Sequence, residues 1–209
     1  MTDAPHDTAH RSPVVVLASG AGTLLAAIID RAASVDAAFT VVGVVVDRAC
    51  PAMQIAADAD IPVVECILTE HPDRATWDSV LTDAVAAFSP DWVATAGFMK
   101  ILGPAFLQRF GGTVVNSHPA LLPSFPGAHG VADALAYGVK VTGTTVHLVD
   151  DGVDTGPILA QRIVEVAPDD TEAALHERIK IVERALLPAV VDALAARGVV
   201  TDGRKAHLK

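Results

Sequence analysis

The sequence predicts an α/β protein: a doubly wound, mostly parallel twisted sheet with an antiparallel addition toward the C-terminus. Three observations predict it. Short runs rich in Val, Ile and Ala alternate with helical stretches over residues 14–110, and such alternation implies crossover connections and parallel pairing. The apolar mass is aliphatic, with 51% hydrophobic but only 4% aromatic residues, which suits strands buried beneath helices on both faces. Beyond residue 138 two β-branched runs follow one another with no helical stretch between them, which suggests antiparallel pairing.

Residues 1–13, MTDAPHDTAHRSP, are polar and read as a disordered tail, leaving 14–209 as a single domain. VVVLA (14–18) is a buried strand, SGAGT a tight turn, and LLAAIIDRAA (24–33) a helix. FTVVGVVVD (39–47) is a second strand, followed by the helix PAMQIAADAD (51–60) with Pro51 in its first turn. IPVVECIL (61–68) is a third strand, HPDRATWDSVLTDAVAAF (71–88) an amphipathic helix, and DWVATAG (91–97) a fourth strand. PAFLQRF (104–110) is a short helix, TVVNSH (113–118) a strand, and GVADALAYG (130–138) a helix closed by Gly138. VTGTTVHLVD (141–150) and ILAQRIVEV (158–166) are the antiparallel pair. The last element is a long helix over 169–198, capped by Asp170 or Thr171 and ended by Gly198, with a kink expected at Pro188. The 104–110 helix and this last helix each carry an apolar face that can cover the sheet or meet a second copy in a homodimer, and the sequence leaves both open.

The bulk numbers exclude several classes. Net charge is −10 with no run of Lys or Arg, which argues against a protein that grips nucleic acid by its phosphates. A small anionic ligand needs only a local pocket. Cys50 and Cys66 are too few for a disulfide framework and match no zinc spacing, so a reduced, cytoplasmic setting is expected. No signal-peptide core and no membrane-length apolar run is present.

Three segments carry chemistry. SGAGTLL (19–25) joins a strand to a helix, where free backbone N–H groups can hold a phosphate. Gly20 and Gly22 fit the first two glycines of a dinucleotide fingerprint and Asp47 sits where a ribose acid would, but Leu25 stands in place of the third glycine. In VVNSHPALLPSFPG (114–127) a strand ends in Asn116 and His118, two apart and therefore on one face at the C-terminal edge of the sheet. A carboxamide and an imidazolium there suit an oxyanion clamp for attack on a carbonyl carbon. The plain alternative is an Asx turn over a packed histidine, yet a loop this apolar and proline-rich looks made to wall a pocket. DDGVDTGPI (150–158) offers Asp150, Asp151 and Asp154 without calcium-loop spacing. Asp154 beside His118 would favour the imidazolium, and burial would raise its own pKa toward a value useful for proton transfer.

Taken together, SGAGTLL, HPDRATWD, AGFMKILGPAF, VVNSHPALLPSFPGAHGVADALAYG, TGTTVHLVDDGVDTGPIL and HERIKIVERALLP resemble the folate-dependent glycinamide ribonucleotide formyltransferases of purine synthesis, in that family's order and over nearly the whole chain after the tail. The resemblance implies a Rossmann-like formyltransferase fold with a nucleotide-binding half (14–110) and a catalytic, folate-binding half (111–209). It implies transfer of the formyl group of 10-formyltetrahydrofolate to the ribonucleotide's amine, with no metal and small molecules as partners. Asn116, His118 and Asp154 match the catalytic trio. Gly22, Thr23, Leu24 and Glu183 match the ribonucleotide site. Arg74, Met99, Lys100, Ile101, Leu102, Leu107 and the loop Asp150, Asp151, Gly152 and Val153 match the folate cleft, and His129 and His147 also fall on family positions, His129 as a pocket candidate and His147 equally readable as a satisfied strand histidine. The chain departs from the pattern in two places: Thr23-Leu24 replaces a frequent Ser-Asn, and Lys100 replaces a frequent Arg, keeping charge without the planar fork.

Three rival readings share parts of this pattern. Methionyl-tRNA formyltransferase shares the core but adds a basic domain and differs in the proline loop. Formyltetrahydrofolate deformylase normally adds an N-terminal regulatory domain. A nicotinamide-dependent oxidoreductase would use the glycine turn and Asp47 but leaves Asn116, His118 and Asp154 unexplained.

Overall fold

A computed structural model describes residues 11–209. Nine strands form one sheet in the order β3-β2-β1-β4-β5-β6-β7-β9-β8. The parallel part comprises β1 (Ser12–Ala18), β2 (Phe39–Val46), β3 (Val63–Glu65), β4 (Trp92–Ala96) and β5 (Val114–His118). β6 (Val141–Leu148) runs antiparallel to β5, and β7 (Ile158–Glu165) antiparallel to β6. The predicted fold class is the observed one.

Alternation along the strands builds two cores. Val14, Val16 and Ala18 of β1 pack with α1 (Thr23–Ala32), α2 (Pro51–Asp58) and α6 (Glu172–Arg197) on one face. Val15 and Leu17 pack with α3 (Arg74–Ala86) and α4 (Pro104–Phe110) on the other. Each fully buried Val or Leu contributes roughly 1.5–3 kcal/mol, so a slip of one residue in any central strand would exchange the two cores at large cost. A smaller cluster joins α5 (Gly130–Tyr137) to the start of α6 through Val131, Leu175 and Ile179. Phe106 and Phe110 of α4 and Leu187 and Val191 of α6 are buried against the sheet, so both helices cover it.

The element boundaries differ from expectation where local chemistry decided them. Residues 1–10 of the expected tail lie outside the described residues, but residues 12 and 13 belong to β1, and Ser12 donates to Asp91 at 2.5 Å. α3 begins at Arg74 rather than 71, because Asp73 caps it by accepting from the Thr76 N–H at 2.7 Å. α6 begins after Thr171, which accepts from the Ala174 N–H, while Asp170 pairs with Arg178 instead. The helix runs through Pro188 as a single span. The sequence reading also missed a hairpin, β8 (Val199–Asp202) and β9 (Lys205–Leu208), which extends the sheet past β7. Its signal was Asp-Gly between alternating residues, with Gly203 at φ +56 in the turn.

Candidate active site

The strand order reverses between β1 and β4, and such switch points open a crevice at the carboxyl ends of the strands. The turn after β1 forms one wall. Gly22, at φ +75, is the N-cap of α1, and no side chain caps the first N–H groups of that helix. A Cβ on Gly22 would lie 2.7–3.1 Å from Ile55 and Ala52, so α2 packs directly against this turn. The loop after β4 is tied to it, because the Met99 N–H donates to Ser19 Oγ at 2.9 Å.

The centre of the crevice comes from a row of residues abreast on three strands. Thr95 of β4 is in register with Asn116 of β5, and Asn116 with His147 of β6. Thr95 Oγ1 donates to Asn116 Oδ1 at 2.5 Å, and Asn116 Nδ2 lies 3.1 Å from His147 Nε2. His147 Nδ1 donates to the Leu148 carbonyl at 2.9 Å. Two residues beyond Asn116, His118 points to the same face. Its Nε2–H donates to the Phe125 carbonyl at 2.8 Å, and its Nδ1 lies 3.3 Å from Asp154 Oδ2. Oδ1 of the same carboxylate is 3.6 Å from His147 Nε2, and the Gly127 N–H donates to Oδ2 at 2.7 Å. The proposed trio therefore converges, with His147 as the joint between Asn116 and Asp154.

Backbone geometry at the site is unusual. Asp154 (φ +55) and Phe125 (φ +56) both lie in the left-handed region, which costs a non-glycine residue about 1–3 kcal/mol and concentrates at functional sites. Both flank His118. Gly130 admits the histidine: a Cβ there would come within 3.0 Å of the Phe125 carbonyl and 3.1 Å of His118 Nε2.

The electrostatics correct one expectation. Burial does push the Asp154 carboxyl up, but hydrogen bonds at His147 and Gly127 and the charge of His118 outweigh it, so its pKa is lowered rather than raised. Glu183 behaves oppositely. Burial pushes its carboxyl up, only partly offset by the Ser117 hydroxyl at 2.8 Å and the Thr144 hydroxyl at 3.4 Å. Glu183 also sits on the other face of the sheet, under Ser117, whereas Asn116 and His118 point to the α3–α4 side. The candidate ribonucleotide residues on α1 and α6 thus approach from one face, and the candidate folate residues of the α3–α4 side from the other.

Among these folate residues, Met99 and Ile101 are exposed, Leu102 is buried and Leu107 packs against the α3–α4 core. Arg74 donates to the Ile101 carbonyl. Lys100 Nζ lies 3.0 Å from Asp47 Oδ2, which also takes Arg48 at 3.0 Å. That carboxylate is buried and committed to two cations, so a ribose-binding role is not open to Asp47. Asp78 was missed in the sequence; it accepts from the Gly103 and Ala105 N–H groups, both at 2.8 Å, and so anchors the same segment. In the acid loop Asp150 accepts from Thr155 Oγ1 and the Gly152 N–H, while Asp151 is exposed and Val153 half-exposed. His129 is exposed at the start of α5 and, among the described residues, makes no hydrogen bond to the trio. No cluster of three metal-ligating side chains occurs among the described residues, and no helix there is long and apolar enough to cross a membrane.

The model of the Formyl transferase family matches residues 12–191. The phosphoribosylglycinamide formyltransferase of Mycobacterium tuberculosis is 60% identical over 195 residues, 93% of this chain and 90% of that one. The human trifunctional purine biosynthetic protein adenosine-3 is 38% identical over 199 residues, 95% of this chain and 20% of that protein. The crystal structure of glycinamide ribonucleotide transformylase 1 from Symbiobacterium toebii superposes with a TM-score of 0.93 at 34% identity, covering 99% of this chain and 98% of that one.

Proposed function

The chain belongs to the formyl transferase family, and from that premise we propose that it transfers the formyl group of 10-formyltetrahydrofolate to the amine of glycinamide ribonucleotide in purine synthesis. The observation that carries this reading is the Asp154 carboxylate set between His118 and His147, beside Asn116, at the edge where two sets of ligand-binding elements meet. The matching family and the relatives' names support formyl as the group moved and glycinamide ribonucleotide as its acceptor.

The ribonucleotide phosphate rests on the N–H groups at Gly22, Thr23 and Leu24, where the α1 dipole favours negative charge. Glu183 meets the same substrate from α6. The folate lies along Arg74, the 99–102 segment and Leu107, with the 150–153 loop over its pterin. Lys100 serves that cleft through its bond to Asp47, which holds the segment in place.

The ribonucleotide amine attacks the formyl carbon, forming a C–N bond and a tetrahedral centre whose oxygen carries the negative charge. Asn116 and protonated His118 donate to that oxygen. His118 Nε2 reaches it by exchanging the Phe125 carbonyl for substrate. Collapse of the intermediate breaks the bond between the formyl carbon and folate N10. The amine's proton passes by way of Asp154, directly or through water, to N10, giving N-formyl-ribonucleotide and tetrahydrofolate. The lowered pKa of Asp154 makes it a carboxylate at neutral pH, ready to receive that proton and to balance the imidazolium. Two free cysteines fit a reducing, cytoplasmic setting.

Following folate absorbance with glycinamide ribonucleotide, charged initiator tRNA or water alone as acceptor tests the reading. Turnover with the ribonucleotide alone is expected. Equal turnover in water would replace this reading with hydrolysis of the same donor.

A further inference from the structure

A carboxamide's oxygen and nitrogen are distinguished by their hydrogen-bond network, and at Asn116 that network is closed on two sides. The Leu148 carbonyl can only accept, so His147 Nδ1 carries a proton and donates to it. The Asn116 amide nitrogen lies 3.1 Å from Nε2 of that ring. The amide oxygen is thereby turned toward β4, where the Thr95 hydroxyl donates to it at 2.5 Å. With the oxygen held by Thr95, the amide nitrogen is the end of Asn116 left to offer an N–H to a reacting oxygen.

Thr95 has a more ordinary use, since a buried hydroxyl needs some acceptor and the Val115 carbonyl lies 3.4 Å away. A hydroxyl has one proton, and the nearer, better placed acceptor is Asn116. The position is also conspicuous: Thr95 is 5% exposed at the carboxyl end of WVATA, a strand otherwise apolar, and in register with Asn116.

We infer that Thr95 is a positioning residue for the transfer reaction, whose hydroxyl sets the rotation of the Asn116 carboxamide so that its free N–H faces the oxyanion. This rests on the proposed transferase reading for its kinetic consequence. The orientation itself can be read without turnover, because Asn116 is the only asparagine in the chain. Protein labelled with nitrogen-15 asparagine therefore shows a single side-chain amide pair by NMR.

Thr95→Val keeps the shape and removes the donor. It is expected to move that amide pair and to lower kcat about tenfold, the scale of one neutral hydrogen bond realised in the transition state, with KM for both substrates unchanged. Thr95→Ser is expected to restore both readouts. An unmoved amide pair in Thr95→Val, or wild-type kcat, overturns the inference, as does a loss of kcat that serine fails to rescue. Should the valine variant not fold, Thr95→Ala carries the same two readouts. Wild-type protein that gives no transfer to the ribonucleotide would instead remove the transferase reading, while the amide signals still decide the orientation.

Discussion

Asp154 faces His118 Nδ1 at 3.3 Å from a left-handed backbone, φ +55, so the carboxylate that serves the histidine is held there at some cost to the fold. The arrangement makes Asp154 the residue whose replacement should separate chemistry from binding.

Asp154→Asn is expected to lower kcat by roughly 10²–10⁴, the range for a positioned acid–base group, with KM changed little. Its pKa is depressed in the fold, so the carboxylate contributes stability above the ordinary carboxylate range and loses it as pH falls through the lowered value. The Tm advantage of wild type over Asp154→Asn should therefore hold at neutral pH and shrink below about pH 4. Thermal denaturation across pH checks the second part and steady-state kinetics the first.

Glu183 has the opposite sign. Its raised pKa means that folding favours the protonated form, so stability is lost as pH rises from the ordinary carboxylate value through the folded one. Glu183→Gln mimics the neutral form. It should raise Tm at pH 8 by about 2–4 °C, a gain that vanishes in acid. The same variant should raise KM for the ribonucleotide while leaving KM for folate alone.

Gly130→Ala places a methyl group 3.1 Å from His118 Nε2, at the first residue of α5. The same methyl group comes within 3.0 Å of the Phe125 carbonyl, so both neighbours must give by a few tenths of an ångström, a small shift for the fold but one taken at the imidazole. Tm is expected to stay within about 2 °C while kcat falls about tenfold.

Asp47→Asn removes the carboxylate that holds Lys100, Arg48 and the Ser19 hydroxyl. The 97–102 segment loses its tie to β2 while the Met99–Ser19 bond remains. Folate KM is expected to rise roughly tenfold, the scale of a charge-assisted bond. Isothermal titration with a non-reactive folate analogue would separate this from any effect on chemistry, and unchanged affinity would leave Lys100 with no part in the cleft.

Much of this site was legible from local pattern. A strand that ends in Asn-Ser-His before a run of prolines announces side chains delivered to a stiff loop, and alternation places Asn116 and His118 on one face without knowledge of the neighbours. The glycine turn at 19–22 and the Gly138 cap of α5 are likewise local. The hairpin at 199–208 carried a signal as well, in Asp-Gly between alternating residues, but its pairing with β7 links Ile158 to Lys205 and depends on the whole sheet being in place.

What the sequence determined alone was the order of elements, the two-sided core and the candidates for the reacting side chains, because these follow from periodicity and residue chemistry within a few residues. Only the tertiary structure decided that Thr95, Asn116 and His147 stand abreast, that Lys100 spends its charge on Asp47, and that Asp154 is acidified rather than neutralised. Register between strands brings together residues far apart in the chain, and a pKa is the small difference between burial and partners that pull against it, so neither can be read before the neighbours are known.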